Sequence, residues 1–253
     1  MKILGSDFDG TLNHGGMTEA KLEAIAKWQR TGNKFGIVSG RSYDFRESLL
    51  QDFPHLHLDF LVACNGGYIL DGQGNPLYEA RCTEIPFLTL AADLFEWGCL
   101  YIHFKGKIGA CVVKQYEDAP SYVAKERVCL LENLPEVDYF NQVSVQLPSA
   151  EESAGMVERI QAKYGEWINP LQNGACIDLV PAGVNKAQGM YRVMEAFGCA
   201  YEDIITVGDN INDLDMIREF HSYAMQNGVQ EVKDLADGIV CDVIEILEQE
   251  NAK

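Results

Sequence analysis

The sequence predicts an α/β protein in which a parallel-sheet core wrapped by helices is interrupted by an inserted α+β unit. Three observations lead there. Short apolar runs alternate with helix-periodic stretches at both ends of the chain, the pattern of a parallel sheet covered on its faces. The middle of the chain instead carries closely spaced runs around a tight turn, which belong to antiparallel sheet. Clusters of polar residues follow the apolar runs directly, where a parallel sheet presents its carboxyl ends to ligands.

Taken in order, the first block reads strand 2–6, helix 18–31, strand 34–38, helix 42–51 and strand 59–63. Thr18 can cap its first helix, Leu22, Ile25 and Trp28 share a face, Lys27 and Arg30 fall in the last turn, and Gly32 can end it. In the insert, Ile85, Leu88, Ala92 and Phe95 mark a helix, followed by strands Cys99–Phe104 and Ile108–Val113 around Lys105-Gly106-Lys107, read as a solvated turn. A further helix, a strand at Val143–Leu147, a helix Ala150–Tyr164 and two strands ending at Asp178-Leu179-Val180 complete it. The last block opens at Asn185, a cap for a helix bearing Met190, Val193, Met194 and Phe197 and stopped by Gly198. Strand Ile204–Val207, a helix through Leu214 and Ile217, and a short strand Tyr223–Met225 follow. Glu245, Glu248 and Glu250 read as the wet face of a final helix. The core is expected at 1–82 and 183–253 and the insert at 83–182.

Composition narrows the class. The 253 residues make one large domain or two modest ones at about 150 residues each. A chain of this size can hide roughly 70 to 75% of its unfolded surface, enough for a core without staples. The net charge of −18 repels a nucleic-acid backbone or an anionic membrane, so neither is an expected partner. No apolar run approaches the ~18 residues of a membrane span, and a charge at Lys2 precedes any leader-like segment, so a cytoplasmic protein is expected. The 8 cysteines are scattered without a C-x-x-C pair, which fits reduced, buried thiols in place of a zinc grip. His14, His55, His57, His103 and His221 have no metal-spaced partners and read as structural.

Four segments carry chemistry. The first strand runs into Asp7-Phe8-Asp9-Gly10-Thr11-Leu12, and alternation along an extended chain puts Asp7 and Asp9 on one side. Two like charges so close need a cation or a shared proton, although an Asp-x-Asp before glycine also serves as a solvated turn. Ile37-Val38-Ser39-Gly40-Arg41 places a hydroxyl and main-chain N–H groups at the second strand's end, suited to phosphate or to an ordinary helix cap. Lys186 opens a helix, where the dipole disfavours a cation, so either solvation or another use holds it there. Gly208-Asp209-Asn210-Ile211-Asn212-Asp213 gathers carboxylates and amides after another strand, without the glycine and terminal glutamate of an EF-hand; metal binding and helix capping both remain open.

In this order the segments resemble the four motifs of the haloacid dehalogenase (HAD) superfamily, in particular its Cof-like phosphatases with a type IIB cap. Cys64-Asn65-Gly66-Gly67 and Ala224-Met225-Gln226-Asn227-Gly228 resemble that subfamily's flanking patterns. The resemblance spans almost the whole chain and implies a Rossmann-like HAD core with a cap domain at 83–182. It implies a Mg²⁺-dependent phosphatase of small phosphomonoesters, sugar phosphates or similar metabolites. Asp7 would be the nucleophile that forms an aspartyl-phosphate and Asp9 the general acid and base. Phe8, Ser39, Gly40, Lys186 and Asn212 would hold the phosphate. Asp7, Asp9 through its carbonyl, Asp209 and the outer-lying Asp213 would serve the metal, with Arg41 and Asn65 as candidate substrate contacts. A phosphomutase or phosphotransferase using the same intermediate, and a non-catalytic phosphometabolite-binding regulator, are the alternatives. The oligomeric expectation is a monomer or weak homodimer. The insert departs from the subfamily's two-layer cap in its weak strand pattern between about Gln115 and Asn141.

Overall fold

The computed structural model describes residues 1–106, 109–117 and 127–252, which form two compact units, Met1–Glu79 with Asn185–Lys253, and Ala80–Val184. The chain divides three residues before the expected first boundary and two after the second. The first unit begins with β1 (Ile3–Ser6), every residue of which is buried, as befits a strand covered on both faces. Next comes α1 (Glu19–Arg30), whose N-terminus Thr18 caps by accepting from the Lys21 N–H, with Leu22, Ile25 and Trp28 buried along one face. β2 (Lys34–Val38), α2 (Phe45–Asp52) and β3 (Phe60–Ala63) continue the alternation. β4 (Tyr68–Asp71) and β5 (Pro76–Glu79) then add an antiparallel hairpin at the sheet edge. The sequence reading passes over this hairpin, because each strand has four residues and β5 lies half in solvent, too little for a visible period.

In the second unit α3 (Phe87–Glu96) precedes β6 (Tyr101–Gly106), β7 (Gly109–Lys114), β8 (Val128–Leu130), β9 (Phe140–Gln146), α4 (Ala150–Tyr164), β10 (Ile168–Asn173) and β11 (Cys176–Pro181). They form a six-stranded sheet, β10-β11-β9-β6-β7-β8, antiparallel except where β8 joins β7 in parallel. Its core is continuous and aromatic at one end, where the Phe87 and Phe104 rings lie 4.5 Å apart and Phe140 closes the group. The helix face differs from expectation: α3 buries Phe87, Leu90, Ala91, Leu94 and Phe95 while Ala92 is exposed, because the helix starts only after Pro86. The helix expected between Val113 and Val143 falls partly on residues 118–126, which lie outside the described residues. The described residues after 126 hold β8 and one 3₁₀ turn, Leu131–Asn133; Lys107 of the expected turn and Ile108 of the expected strand also lie outside the described residues.

The chain returns to the first unit with α5 (Lys186–Phe197), β12 (Ile204–Gly208), α6 (Leu214–Glu219), β13 (His221–Met225), α7 (Gln230–Leu235), β14 (Gly238–Val240) and α8 (Val243–Asn251). The eight-stranded sheet runs β14-β13-β12-β1-β2-β3-β4-β5. Leu4 of β1 faces a core with Ile25, Trp28 and Ile246, and Ile3 faces one with Met190, Val193 and Ile217. Each such side chain, fully buried, contributes about 1.5–3 kcal/mol. Glu250 is not on a wet face: it is 4% exposed, accepting from the Tyr223 hydroxyl at 2.8 Å and the Lys2 ammonium at 3.0 Å. The paired donors outweigh the helix's acidic pattern there.

Candidate active site

From β1 the chain adds strands outward through β2 and β3, then resumes against the other edge of β1 with β12. That reversal makes the carboxyl ends of β1 and β12 a switch point, the place where an open α/β sheet leaves a crevice. Parallel pairing sets Ser6 opposite Val207, and the Asp7 N–H donates to the Val207 carbonyl at 2.9 Å. Asp7 and Asp209 therefore emerge side by side.

After Asp7 the chain does not stay extended. It closes a wide turn, with Leu12 N–H donating to the Asp7 carbonyl at 3.1 Å and Asn13 N–H to that of Phe8 at 2.9 Å. Gly10 takes φ +83°, and a Cβ there would lie 2.4 Å from Asp209 Oδ2, so only glycine fits. The alternation that placed Asp7 and Asp9 together is thereby corrected. Asp7 is buried, while the Asp9 side chain is 55% exposed and gripped in bidentate fashion by Arg41, Nε and Nη2 each donating at 2.7 Å. The guanidinium lies over the Phe8 and Phe45 rings, 5.2 and 4.6 Å from their centroids. The Asp9 carboxylate thus stands outside the acidic cluster, with Arg41 as its partner.

Lys186 is the centre of that cluster. Asn185 caps α5 by accepting from the Gln188 N–H at 2.8 Å, and its carbonyl lies so near Gly66 (φ +103°) that a Cβ at 66 would sit 2.2 Å from it. This backbone approach seats the first turn of α5 on the Cys64–Gly66 turn. The Lys186 ammonium, wholly buried, donates to Asp7 Oδ1 at 2.7 Å and Asp213 Oδ1 at 2.5 Å. The other Asp213 oxygen accepts from the Asp209 and Asn210 N–H groups at 2.9 and 3.0 Å. The dipole penalty at the helix start is offset by two carboxylates.

Ser39, 2% exposed, directly follows β2; its N–H donates to the Val62 carbonyl and its hydroxyl accepts from the Arg41 N–H at 3.2 Å. Gly40 follows, half-buried, and Phe8 packs its ring edge-on to Phe45 at 4.8 Å. Asn65 is buried at φ +51°, and Asn212 Nδ2 reaches its side-chain oxygen at 3.5 Å. Two further residues were not singled out by the sequence reading. The Thr11 hydroxyl donates to Asp209 Oδ1 at 2.7 Å, and Asn227 Nδ2 donates to the Gly10 carbonyl at 2.9 Å. Both lie inside segments already marked by motif, but only the fold shows which atom each one meets.

The electrostatics favour a divalent cation. Oxygens of Asp7, Asp209 and Asp213 lie within 4.8 Å of one another, against the single ammonium of Lys186. Burial, together with the charges of Asp213 and Asp209, pushes Asp7 up to about 8 although Lys186 adjoins it. Burial raises Asp209 as well, against the Thr11 hydrogen bond. Lys186 is held above its usual range, because the two carboxylates outweigh its burial. A cluster short of positive charge and offering hard oxygen donors fits Mg²⁺ or a similar ion.

An acidic, metal-competent centre at a switch point, with a buried lysine in it, is the arrangement of an α/β enzyme. The chain belongs to the haloacid dehalogenase-like hydrolase family, whose model matches residues 4–244. It is 26% identical over 238 residues to the 5-amino-6-(5-phospho-D-ribitylamino)uracil phosphatase YbjI of Escherichia coli (strain K12), covering 90% of this chain and 86% of that protein. It is 24% identical over 265 residues to the pyridoxal phosphate phosphatase YbhA of the same organism, covering 95% and 93%. Among solved structures, the HAD subclass IIB sugar phosphatase BT4131 matches with a TM-score of 0.79 at 21% identity, over 99% of both chains. A haloacid dehalogenase-like hydrolase from Bacteroides thetaiotaomicron matches at 0.76 and 22%, over 98% and 99%. The fold is that of subclass IIB. Among the described residues no helix is long and apolar enough to cross a membrane.

Proposed function

We propose that this hydrolase is a Mg²⁺-dependent phosphatase of small phosphomonoesters, sugar phosphates or similar metabolites, and that Asp7 carries the phosphoryl group between its two half-reactions. The observation that supports this most is the convergence of Asp7, Asp209, Asp213 and Lys186 at the switch point. The phosphatase names of the relatives point the same way. Asp7, Asp209 and the Asp9 carbonyl would hold the ion, with Asp213 outside them. When bound it supplies positive charge against the phosphate oxygens.

An Asp7 oxygen attacks phosphorus and the bond to the leaving alcohol breaks, the departing oxygen taking a proton from Asp9. Asp9, now a carboxylate, takes a proton from water. The resulting hydroxide attacks phosphorus, and phosphate leaves with Asp7 restored. For Asp9 to meet the leaving oxygen, its bidentate pair with Arg41 opens; both side chains are about half exposed, so water can solvate the separated charges. Phosphoryl transfer needs alignment and neutralised oxygens, which Lys186, Ser39, Asn212 and the Phe8 and Gly40 amides supply. The unit Met1–Glu79 with Asn185–Lys253 is the catalytic core in this reading, and Ala80–Val184 the cap domain expected to select the leaving group.

The test is release of p-nitrophenol and phosphate from p-nitrophenyl phosphate with Mg²⁺, with EDTA, and by Asp7→Asn. Turnover is expected with Mg²⁺ alone. Near-normal turnover by Asp7→Asn overturns the assignment of the nucleophile, and binding of phosphate esters without hydrolysis overturns the activity. A panel of phosphorylated metabolites ranked by kcat/KM then identifies the substrate.

A further inference from the structure

Lys21 lies outside every motif, yet its ammonium is among the most fully engaged in the molecule. The side chain is 2% exposed, on the first turn of α1. Its Nζ donates to the main-chain carbonyls of Leu12 at 2.8 Å, His14 at 2.6 Å and Gly16 at 3.1 Å, one for each of its three protons. Asp242 Oδ2 stands 3.4 Å away as counter-charge, while the other oxygen of that carboxylate caps α8 by accepting from the Ile244 N–H at 3.0 Å. Three converging carbonyls and a carboxylate are the donor set of a monovalent-cation site, here filled by a tethered ammonium.

The carbonyls belong to the segment that continues the Asp7 turn. Residues 13–16 are exposed, so apolar burial does not hold them. They advance by successive tight turns, His14 N–H to the Thr11 carbonyl and Gly16 N–H to that of Asn13, with Gly15 and Gly16 at φ +70° and +87°. These left-handed glycines let alternate carbonyls aim at one point. Upstream, the same turn closes on Asp7 through Leu12 and fixes Asp209 through Thr11.

We propose that Lys21 is a positioning residue: its ammonium acts as a built-in cation that gathers residues 12–16 and so holds the turn carrying Asp7 and Asp9 in register with Asp209. The kinetic part rests on the phosphatase reading above; the structural part does not.

The test uses the full-length chain with Lys21→Ala, with and without n-propylammonium, which can re-enter the vacated site, and with tetramethylammonium at equal ionic strength as control. Amide hydrogen exchange of residues 7–17 is followed beside kinetics on p-nitrophenyl phosphate. Exchange at Asn13, His14 and Gly16 is expected to speed at least about tenfold. The kcat is expected to fall at least about tenfold with KM within about threefold, since displacement of reacting groups by about 1 Å can cost a factor of about 100. Propylammonium restores both and tetramethylammonium neither. Unchanged exchange and kcat overturn the proposal; so does a loss that propylammonium leaves in place. Should Lys21→Ala not fold, Lys21→Arg decides, because a planar guanidinium cannot give one proton to each of three converging carbonyls; wild-type exchange and kcat in that variant overturn it. A wild-type chain that hydrolyses nothing removes the phosphatase reading and leaves the exchange result to judge Lys21.

Discussion

Lys186→Met is the sharpest probe of the acidic cluster, because it removes a charge and keeps the stem. Asp213 is wholly buried, and its one cationic partner among the described contacts is Lys186. The two N–H groups on its other oxygen remain in the variant, but they do not cancel a full charge. Breaking a buried, hydrogen-bonded ion pair on one side costs about 3–5 kcal/mol. For a protein of this size that corresponds to a fall of about 6–20 °C in Tm, at about 2–4 °C per kcal/mol. Chemical and thermal unfolding by circular dichroism at pH 7 in EDTA measure it, read on the transition of the β1-containing unit. A divalent cation should raise the variant's Tm by more than the wild type's, since the acidic cluster then faces no competing ammonium. A loss below about 1 kcal/mol, the worth of a surface pair, would refute the claim that Lys186 neutralises a buried cluster.

Other expectations follow from the same geometry. Asp7 sits near 8 in the fold and 3.8 in the unfolded chain, so the folded state holds the extra proton between those values and metal-free stability falls as pH rises from about 4 to about 8. Asp7→Asn in EDTA should therefore gain on the wild type between pH 5 and 8.5; parallel unfolding midpoints would contradict this. Gly10→Ala meets Asp209 Oδ2 at 2.4 Å in a left-handed backbone and should lose about 1–3 kcal/mol and most of its turnover, an outcome that unfolding curves and p-nitrophenyl phosphate assays check together. Iodoacetamide at pH 8 should label exposed Cys241 first, while burial pushes Cys82 up to about 11 and Cys99 up to about 12, so mass spectrometry should find those two modified only after unfolding.

The sites visible in the sequence are those where chemistry sits in consecutive residues. Asp7, Lys186, Asp209 and Asp213 each follow an apolar run or open a helix, and a parallel sheet leaves little freedom in where such ends go. Partner choice is less legible. Nothing near Asp9 in sequence indicates that Arg41, 32 residues on, takes its carboxylate, since that depends on how β2 pairs with β1. Lys21 reads as one more helix lysine because the carbonyls it binds carry no side-chain signature. β5 and β8 escape as short edge strands lying partly in solvent, and the face of α3 shifts because Pro86 delays its start. Glu250 failed for the converse reason: its acidic neighbours suggest solvent, whereas Tyr223 and Lys2 draw it inward.

The pairing of Ile3 with Ile204 has a consequence for biosynthesis. As the chain leaves the ribosome, β1 can find β2 some thirty residues after itself, but its second neighbour arrives only some two hundred residues after β1. Until then an apolar strand in the middle of the future sheet shows a bare hydrogen-bonding edge, the usual template for aggregation. Any nascent chain released before Val207 would lack the strand that seals it, so truncated products should be insoluble, and the turn carrying Asp7 could meet Asp209 only after β12 has been made.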